Sequence, residues 1–222
     1  MLPNLINKLD DVEKKIIKYM GETCDKVFFS DLTHEFNLDS PYLSYKLKKL
    51  INLGLVKKIK KGVYELRYKT PLCFLFDKKN VNTYIGMLGL KNERTDPEPK
   101  VAIDLLEREG IKIKHVFIFA TKETVNDWES FLAKSNFKLE IVEMDDIKRI
   151  ENMENKVRRL LEDLMHEKVV ILDCTSLTKM ATIAFYKTAQ KFYAPLIYIY
   201  EQTEELIWIQ GRDEIMDQIN LK

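Results

Sequence analysis

The sequence predicts an α/β protein, with a small N-terminal part of helices and a hairpin before a Rossmann-like three-layer domain. Two observations support this prediction. From residue 81 onwards, apolar runs typical of buried parallel strands alternate with amphipathic helical segments. The first 70 residues instead show three helical segments and then a strand, a turn and a strand. We predict an N-terminal domain at 1–70, a linker at 71–80 and a Rossmann-like domain at 81–222.

The composition is that of a globular chain with enough apolar residues for both parts. Hydrophobic residues make up 45% and charged residues 32%, and the formal net charge is +1. No apolar run reaches the roughly 18–20 residues that span a bilayer, and the N-terminus lacks the form of a signal peptide. Three cysteines without a pairing pattern fit a reducing compartment. We therefore expect a cytoplasmic protein with no membrane partner.

The N-terminal part begins with a predicted helix at 9–21, where apolar residues recur at helical spacing. Ser30 opens a second helix, and Ser40 and Pro41 open a third, because proline is tolerated in a first helical turn. Gly54 ends the third helix, and a strand, a turn and a strand follow at 55–66. This order of elements resembles the winged helix-turn-helix superfamily, particularly its archaeal regulators.

Positive charge is concentrated on the third helix and the hairpin. Residues 41–70 hold nine lysines and arginines and a single acid, Glu65. Such a surface is typical of a protein that contacts the phosphates of double-stranded DNA. The alternative is a solvated, lysine-rich face on a winged helix that binds protein. The candidate DNA-binding residues are Ser44, Tyr45, Lys48, Lys49, Asn52, Lys60 and Lys61.

The segment between the two parts is too apolar for a free tether. Leu72, Phe74 and Phe76 alternate along it, which predicts a linker or linking strand packed between the two halves. We expect this segment to couple the halves.

The second part continues as alternating strands and helices. Predicted strands lie at 81–90, 115–121, 138–142, 169–172, 196–200 and 206–209. Predicted helices lie at 101–109, 125–132, 147–164 and 180–192, with a short one from Asp213.

A polar loop, residues 173–179, joins a buried strand to a helix containing small residues. In open α/β sheets, ligands bind outside the carboxyl ends of the strands. Three hydroxyls, an ammonium group and the free amides of a helix start suit a ligand rich in phosphate or hydroxyl groups. Alternatively, Asp173 and Thr175 only cap the helix. The loop lacks the glycines and the GK[ST] ending of a Walker A motif.

This loop resembles the second signature of the CRISPR-associated Rossmann fold (CARF) family, Asp/Asn-x-Thr-Gly-Gly-Thr-Lys. The matching residues are Asp173, Thr175, Thr178 and Lys179, while Ser176 and Leu177 stand at the two glycine positions. The Gly86-Met87-Leu88-Gly89 end of the first predicted strand, with its polar loop, corresponds to the family's first ligand loop.

The resemblance implies a nucleotide second messenger, a cyclic oligoadenylate or a related molecule, bound across the two-fold axis of a homodimer. Joined to a winged helix, such a domain is implied to be a CRISPR-linked transcription regulator. The effector would be the cyclic oligoadenylate, with no other cofactor. The ligand residues implied are Gly86, Gly89, Asn92, Arg94, Asp173, Thr175, Ser176, Thr178 and Lys179.

Two further functions remain open. Some CARF domains cleave their own cyclic ligand, and Ser176 and Lys179 could serve such a ring nuclease by positioning and electrostatics. The chain could also be a winged-helix scaffold that only dimerises. We expect no metal site, because the three histidines lie in different elements without metal-ligand spacing, and we interpret Cys174 as a small buried residue.

Overall fold

The computed structural model describes residues 2–200 and 202–219 of the chain. Its N-terminal part contains four helices and a three-stranded antiparallel sheet with strand order β1-β3-β2. The elements are α1 (Leu2–Ile6), α2 (Asp11–Thr23), β1 (Val27–Phe28), α3 (Phe29–Phe36), α4 (Ser40–Asn52), β2 (Val56–Lys60) and β3 (Val63–Leu66).

Capping residues set where these helices begin. Asp10 accepts a hydrogen bond from the Glu13 amide at 3.0 Å, and the Glu13 side chain accepts one from the Asp10 amide, so α2 begins at Asp11. Asp39 accepts from the Tyr42 amide at 2.7 Å and starts α4. The hairpin turns at Gly62, whose φ of +73° lies in the left-handed region that favours glycine.

The second part is built on a six-stranded sheet with strand order β6-β5-β4-β7-β8-β9, in which only the last pair is antiparallel. Its strands are β4 (Thr83–Met87), β5 (His115–Ala120), β6 (Lys138–Ile141), β7 (Val170–Asp173), β8 (Leu196–Tyr200) and β9 (Glu205–Gln210). Its helices are α6 (Glu98–Arg108), α7 (Lys122–Asp127), α8 (Glu129–Leu132), α9 (Met144–Lys148), α10 (Ile150–Leu164), α11 (Lys179–Phe192) and α12 (Arg212–Ile219). The sheet separates two apolar cores, so the predicted Rossmann-like α/β arrangement agrees with the structure.

The predicted linking strand is a helix. Residues 69–76 form α5 (Lys69–Phe76), a 3₁₀ turn follows at Lys78–Asn80, and Leu72, Cys73, Phe74 and Leu75 are buried. The strand prediction was wrong because a helix covered on nearly every side is apolar all round, and then shows no helical period.

The helix α5 contacts both halves of the molecule. The Phe74 and Trp208 rings stack with 5.7 Å between centroids. The Thr70 hydroxyl donates to the Lys168 carbonyl and accepts from the Val170 amide, both at 2.8 Å. One continuous apolar core runs from α2 through α5 to one face of the six-stranded sheet. This segment therefore contacts elements from both the N-terminal part and the second part of the chain.

The cysteine prediction needs a correction. Cys24, at the end of α2, and Cys73, in α5, form a disulfide. They are 49 residues apart, and the packing of α2 on α5 brings them together, which their spacing in the sequence cannot show. Cys174 is free and buried, as predicted.

A cluster of charged groups lies between α2 and α4. The Glu13 side chain is fully buried, and its carboxylate is 3.3 Å from Lys46 Nζ and 2.7 Å from Lys49 Nζ. Lys46 also donates to Asp10, and this hydrogen bond raises the pKa of the Lys46 ammonium. The Lys46 ammonium therefore stays charged at neutral pH, and its buried ion pair with Glu13 joins the two helices.

Candidate functional site

A crevice opens at the carboxyl ends of the central strands. The chain runs from β4 outward to β5 and β6 and then returns to β7 on the other side of β4, so the strand order reverses at this point. A cavity of about 390 Å³ lies there. It is lined by residues of the loops after β4, β5 and β7 and by α9: Met87, Leu88, Gly89, Leu90, Asn92, Arg94, Glu98, Thr121, Glu123, Thr124, Met144, Ile147, Thr175, Ser176, Leu177 and Thr178. An adjoining cavity of about 300 Å³ shares Arg94, Glu98 and Thr175 with it.

The structure brings six of the predicted ligand residues to the first cavity. They are Gly89, Asn92, Arg94, Thr175, Ser176 and Thr178. Leu177 also lines it and packs against the core beneath α11, so this side chain narrows the crevice where the resembled signature has glycine.

Gly86 and Asp173 lie below the crevice, in the packed interior. Asp173 is 3% exposed and accepts hydrogen bonds from the Tyr84 hydroxyl and from the Thr175 amide at 2.8 Å. A Cβ on Gly86 would lie about where the Tyr84 ring passes, so this glycine makes room for the tyrosine. Neither residue lines the cavity, and both shape the strand ends beneath it.

The three hydroxyl groups of the loop differ in their hydrogen bonds. Thr175 Oγ1 donates to Asp173 and accepts from the Ile199 amide at 2.9 Å. Thr178 caps α11, because its Oγ1 accepts from the Ala181 amide at 3.3 Å. Asp173 and Thr175 are therefore not the helix caps of the alternative interpretation. The Ser176 Oγ atom is buried and has no hydrogen-bond partner among the residues that the structure describes.

Lys179 occupies the first position of α11 and is exposed beside this loop. Its ammonium group lies on a flexible side chain that can reach an anion above the helix start.

The buried titratable groups under the crevice have shifted pKa values. Burial raises the pKa of the Asp173 carboxyl to about 6, against the opposing hydrogen bonds from Thr175 and Tyr84. Burial also raises the pKa of the Tyr84 hydroxyl, and the Asp173 charge adds to that shift. Burial and the same charge raise the pKa of the Cys174 thiol to about 12, so Cys174 is not an activated thiolate.

Asp173 is expected to make stability fall as pH rises from about 4 to about 6. The folded chain keeps a proton on this carboxyl that the unfolded chain releases near pH 4, so each pH unit across the interval lowers the free energy of unfolding by about 1.4 kcal/mol. In Asp173→Asn this part of the fall should disappear. Urea unfolding at pH 4, 5, 6 and 7 measures it, with the exposed Asp163→Asn as control. Parallel pH profiles for wild type and Asp173→Asn would contradict the prediction.

Glu98, in the first turn of α6, was missed by the sequence analysis. It is 4% exposed and lines both cavities. Its Oε1 is 2.8 Å from Arg94 Nη1, and its carboxylate lies so close to Gly89 that a Cβ there would overlap it. An acid in a first helical turn is an ordinary helix-start signal, and nothing in the sequence marks this one as buried.

Six of the seven candidate DNA-binding residues are exposed. Ser44, Tyr45, Lys48 and Asn52 lie on the exposed side of α4, and Lys60 and Lys61 are exposed where the hairpin turns. Lys49 instead forms the ion pair with buried Glu13. Its side chain is 35% exposed, and its ammonium is engaged in this ion pair.

An exposed apolar stripe runs along α11. Met180, Ile183 and Tyr186, three residues apart, are 46%, 43% and 44% exposed. They lie on one side of the helix, whose other side, with Ala181, Ala184 and Phe185, is buried. Because α11 starts at the crevice, this stripe begins beside the cavity.

No group of histidine, cysteine and acidic side chains in residues 2–200 and 202–219 could hold a metal ion. Among the described helices, none combines the length and the apolar composition needed to cross a bilayer.

The chain is similar to solved structures of low sequence identity. No protein-family model and no curated protein matches the chain. It is similar to the structure of Can2 from Sulfobacillus thermosulfidooxidans in complex with cyclic tetra-adenylate (12% identity, TM-score 0.43, 59% of this chain and 36% of that chain). It is also similar to protein VC1899 from Vibrio cholerae (12% identity, TM-score 0.47, 59% of this chain and 34% of that chain). The chain spans about a third of the length of either structure.

Proposed function

We propose that this chain is a ligand-responsive DNA-binding regulator whose crevice binds a cyclic oligoadenylate or a related nucleotide. The observation that carries the proposal is the cavity of about 390 Å³ where the loops after β4 and β7 meet, at the reversal of strand order. A ligand bound there would contact both loops at once. The CARF resemblance of these two loops supports a nucleotide of this class.

The groups around the cavity suit a nucleotide better than an apolar molecule. Asn92 and the Ser176 hydroxyl, which has no partner among the described residues, can hydrogen-bond ribose, base or phosphate oxygens. The first amides of α11 and the Lys179 ammonium favour an anion at the rim. Phosphates at the rim and neutral groups deeper in the cavity would match this distribution of charge.

A homodimer would complete the site. The exposed stripe of Met180, Ile183 and Tyr186 begins beside the crevice, and apolar side chains at helical spacing suit contact with the same helix of a second copy. In a two-fold dimer joined there, the two crevices would lie near the axis, where a cyclic ligand with matching symmetry can contact both.

Lys179→Ala is expected to weaken the binding of cyclic tetra-adenylate about tenfold, because one charge-assisted contact to a phosphate is lost. Calorimetry measures the affinity, and Lys191→Ala, at the other end of α11, is the matched control. Equal affinity for both variants would remove Lys179 from the site.

Incubation of the wild-type chain with labelled cyclic tetra-adenylate separates the three candidate functions. Retention of intact ligand supports the regulator, and a linear product supports the ring nuclease. A wild-type chain that binds no oligoadenylate would leave only the dimerising scaffold.

We assign DNA binding to the N-terminal part, whose order of helices and hairpin resembles a winged helix-turn-helix. Its proposed contacts are the exposed face of α4 and the lysines at the hairpin turn, since lysines that neutralise phosphates release counterions. Side chains on a single helix face can enter a major groove together.

Lys48→Ala combined with Lys60→Ala is expected to weaken DNA binding and to reduce the slope of log affinity against log salt by about one unit for each lost phosphate contact. Lys49→Ala should leave this slope unchanged, because its ammonium is paired with Glu13. The control is Lys112→Ala, an exposed lysine of the other half. An unchanged slope in the folded double variant would favour a face that binds protein instead.

A further inference from the structure

The buried Glu98 carboxylate is a feature that phosphate contacts do not explain. Its Oε1 is 2.8 Å from Arg94 Nη1. Its Oε2 is buried without a hydrogen-bond partner among the described residues, although Glu98 lines both cavities. A buried carboxylate oxygen without a donor is unfavourable, so a ligand that brings a donor to this carboxylate would relieve that cost.

A second unpartnered group lines the same cavity. Ser176 Oγ is buried, with no partner in the described part of the chain. A carboxylate only accepts hydrogen bonds, whereas a hydroxyl can donate and accept. Phosphate oxygens also only accept, and a carboxylate repels them. These two groups together therefore suit a neutral part of a ligand that carries an N–H or O–H donor.

The position of the carboxylate is fixed by its surroundings. Arg94 holds Oε1, and Arg94 Nη1 also donates to the Leu90 carbonyl at 2.9 Å. The other side of the carboxylate lies against Gly89, whose carbonyl accepts from Trp128 Nε1 at 3.0 Å. An acceptor held in place before binding loses little freedom when a ligand arrives, which favours selectivity.

We propose that Glu98, with Ser176, selects the ligand by accepting a hydrogen bond from a neutral donor of the nucleotide. This inference rests on the proposed nucleotide function and assigns one contact within it. An adenylate offers two such donors, the amino group of the base and the 2′-hydroxyl of the ribose. Phosphates would then lie away from Glu98, towards the start of α11.

The test compares three ligands on two proteins. Cyclic tetra-adenylate, its inosine analogue and its 2′-deoxy analogue are titrated calorimetrically into wild type and Glu98→Gln. We expect wild type to bind one analogue at least tenfold more weakly than the parent, because that analogue lacks the donor. In Glu98→Gln, the parent should bind about tenfold more weakly and the discrimination should shrink, because an amide oxygen is the weaker acceptor. Glu107→Gln, an exposed acid of α6, is the control.

Each outcome decides between defined interpretations. A loss confined to the inosine analogue identifies the base amino group, and a loss confined to the deoxy analogue identifies the ribose hydroxyl. Equal affinity of wild type for all three ligands overturns the inference while the nucleotide function stands. A uniform loss on all three ligands in Glu98→Gln also overturns it, since that result indicates a structural role. Ser176→Ala repeats the comparison if Glu98→Gln does not fold. Wild type that binds none of the three overturns the nucleotide function and this inference with it.

Discussion

Replacing Lys46 by alanine is expected to lower the free energy of unfolding by about 3 kcal/mol, because the fully buried Glu13 carboxylate loses one of its two ammonium partners. The remaining partner, Lys49, limits the loss, since Glu13 stays partly compensated. Asp10 loses a hydrogen bond as well. Urea denaturation at pH 7 measures the change.

The neighbouring Lys48→Ala is the matched control, because Lys48 lies on the exposed side of the same helix. It should change the free energy of unfolding by at most about 0.5 kcal/mol. Replacing both buried partners by apolar residues, as Glu13→Leu with Lys46→Met, should recover part of the loss, because no buried charge is then left without its partner. A Lys46→Ala chain as stable as Lys48→Ala would show that water reaches Glu13 and replaces the ammonium.

Removing the Cys24–Cys73 disulfide is expected to have an effect of similar size. The bridge closes a loop across 49 residues, for which the loss of chain entropy in the unfolded state corresponds to about 4 kcal/mol. Cys73→Ala and reduction of wild type by dithiothreitol should both lower the denaturation midpoint. Thiol groups are counted under denaturing conditions to verify that the wild-type bridge is formed before dithiothreitol is added and fully reduced afterwards.

The controls separate the bridge from the packing of its sulfur atoms. Dithiothreitol should leave the midpoint of Cys73→Ala unchanged, and Cys24→Ala should lose as much stability as reduced wild type. Cys174→Ala, which lacks only the free thiol, should still respond to the reductant. A wild-type midpoint that does not move on full reduction would show that the helix packing alone holds α2 on α5.

The sequence predicted the sheet well because buried parallel strands are apolar along their whole length. Apolar runs at 115–121 and 169–172 correspond to β5 and β7, and the polar loop after the second run lies at the crevice. The helix α5 was missed because burial on nearly every side removes the pattern that marks a surface helix.

Long-range contacts explain the other differences at the candidate sites. Lys49 looks like an exposed lysine in the sequence, yet its partner Glu13 is 36 residues away. Glu98 looks like an ordinary helix-start acid, yet it is buried with its carboxylate against Gly89. Of the three loop hydroxyls, only that of Ser176 is without a partner in the described structure, because Thr175 and Thr178 hold the strand and the helix in place. Such contacts follow from the folded arrangement and leave no local pattern.

The burial of α5 has a mechanical consequence. An apolar core that is continuous from α2 through α5 to the sheet opposes a hinge motion of one part of the chain against the other. Each subunit of the proposed dimer would then move as one stiff lever pivoting on the α11 stripe. A small rotation of the subunits at that contact, where a nucleotide would bind, would displace the distant α4 helices by a larger distance. The distance between the two α4 helices, and not their tilt within each subunit, would be the quantity that a bound ligand changes.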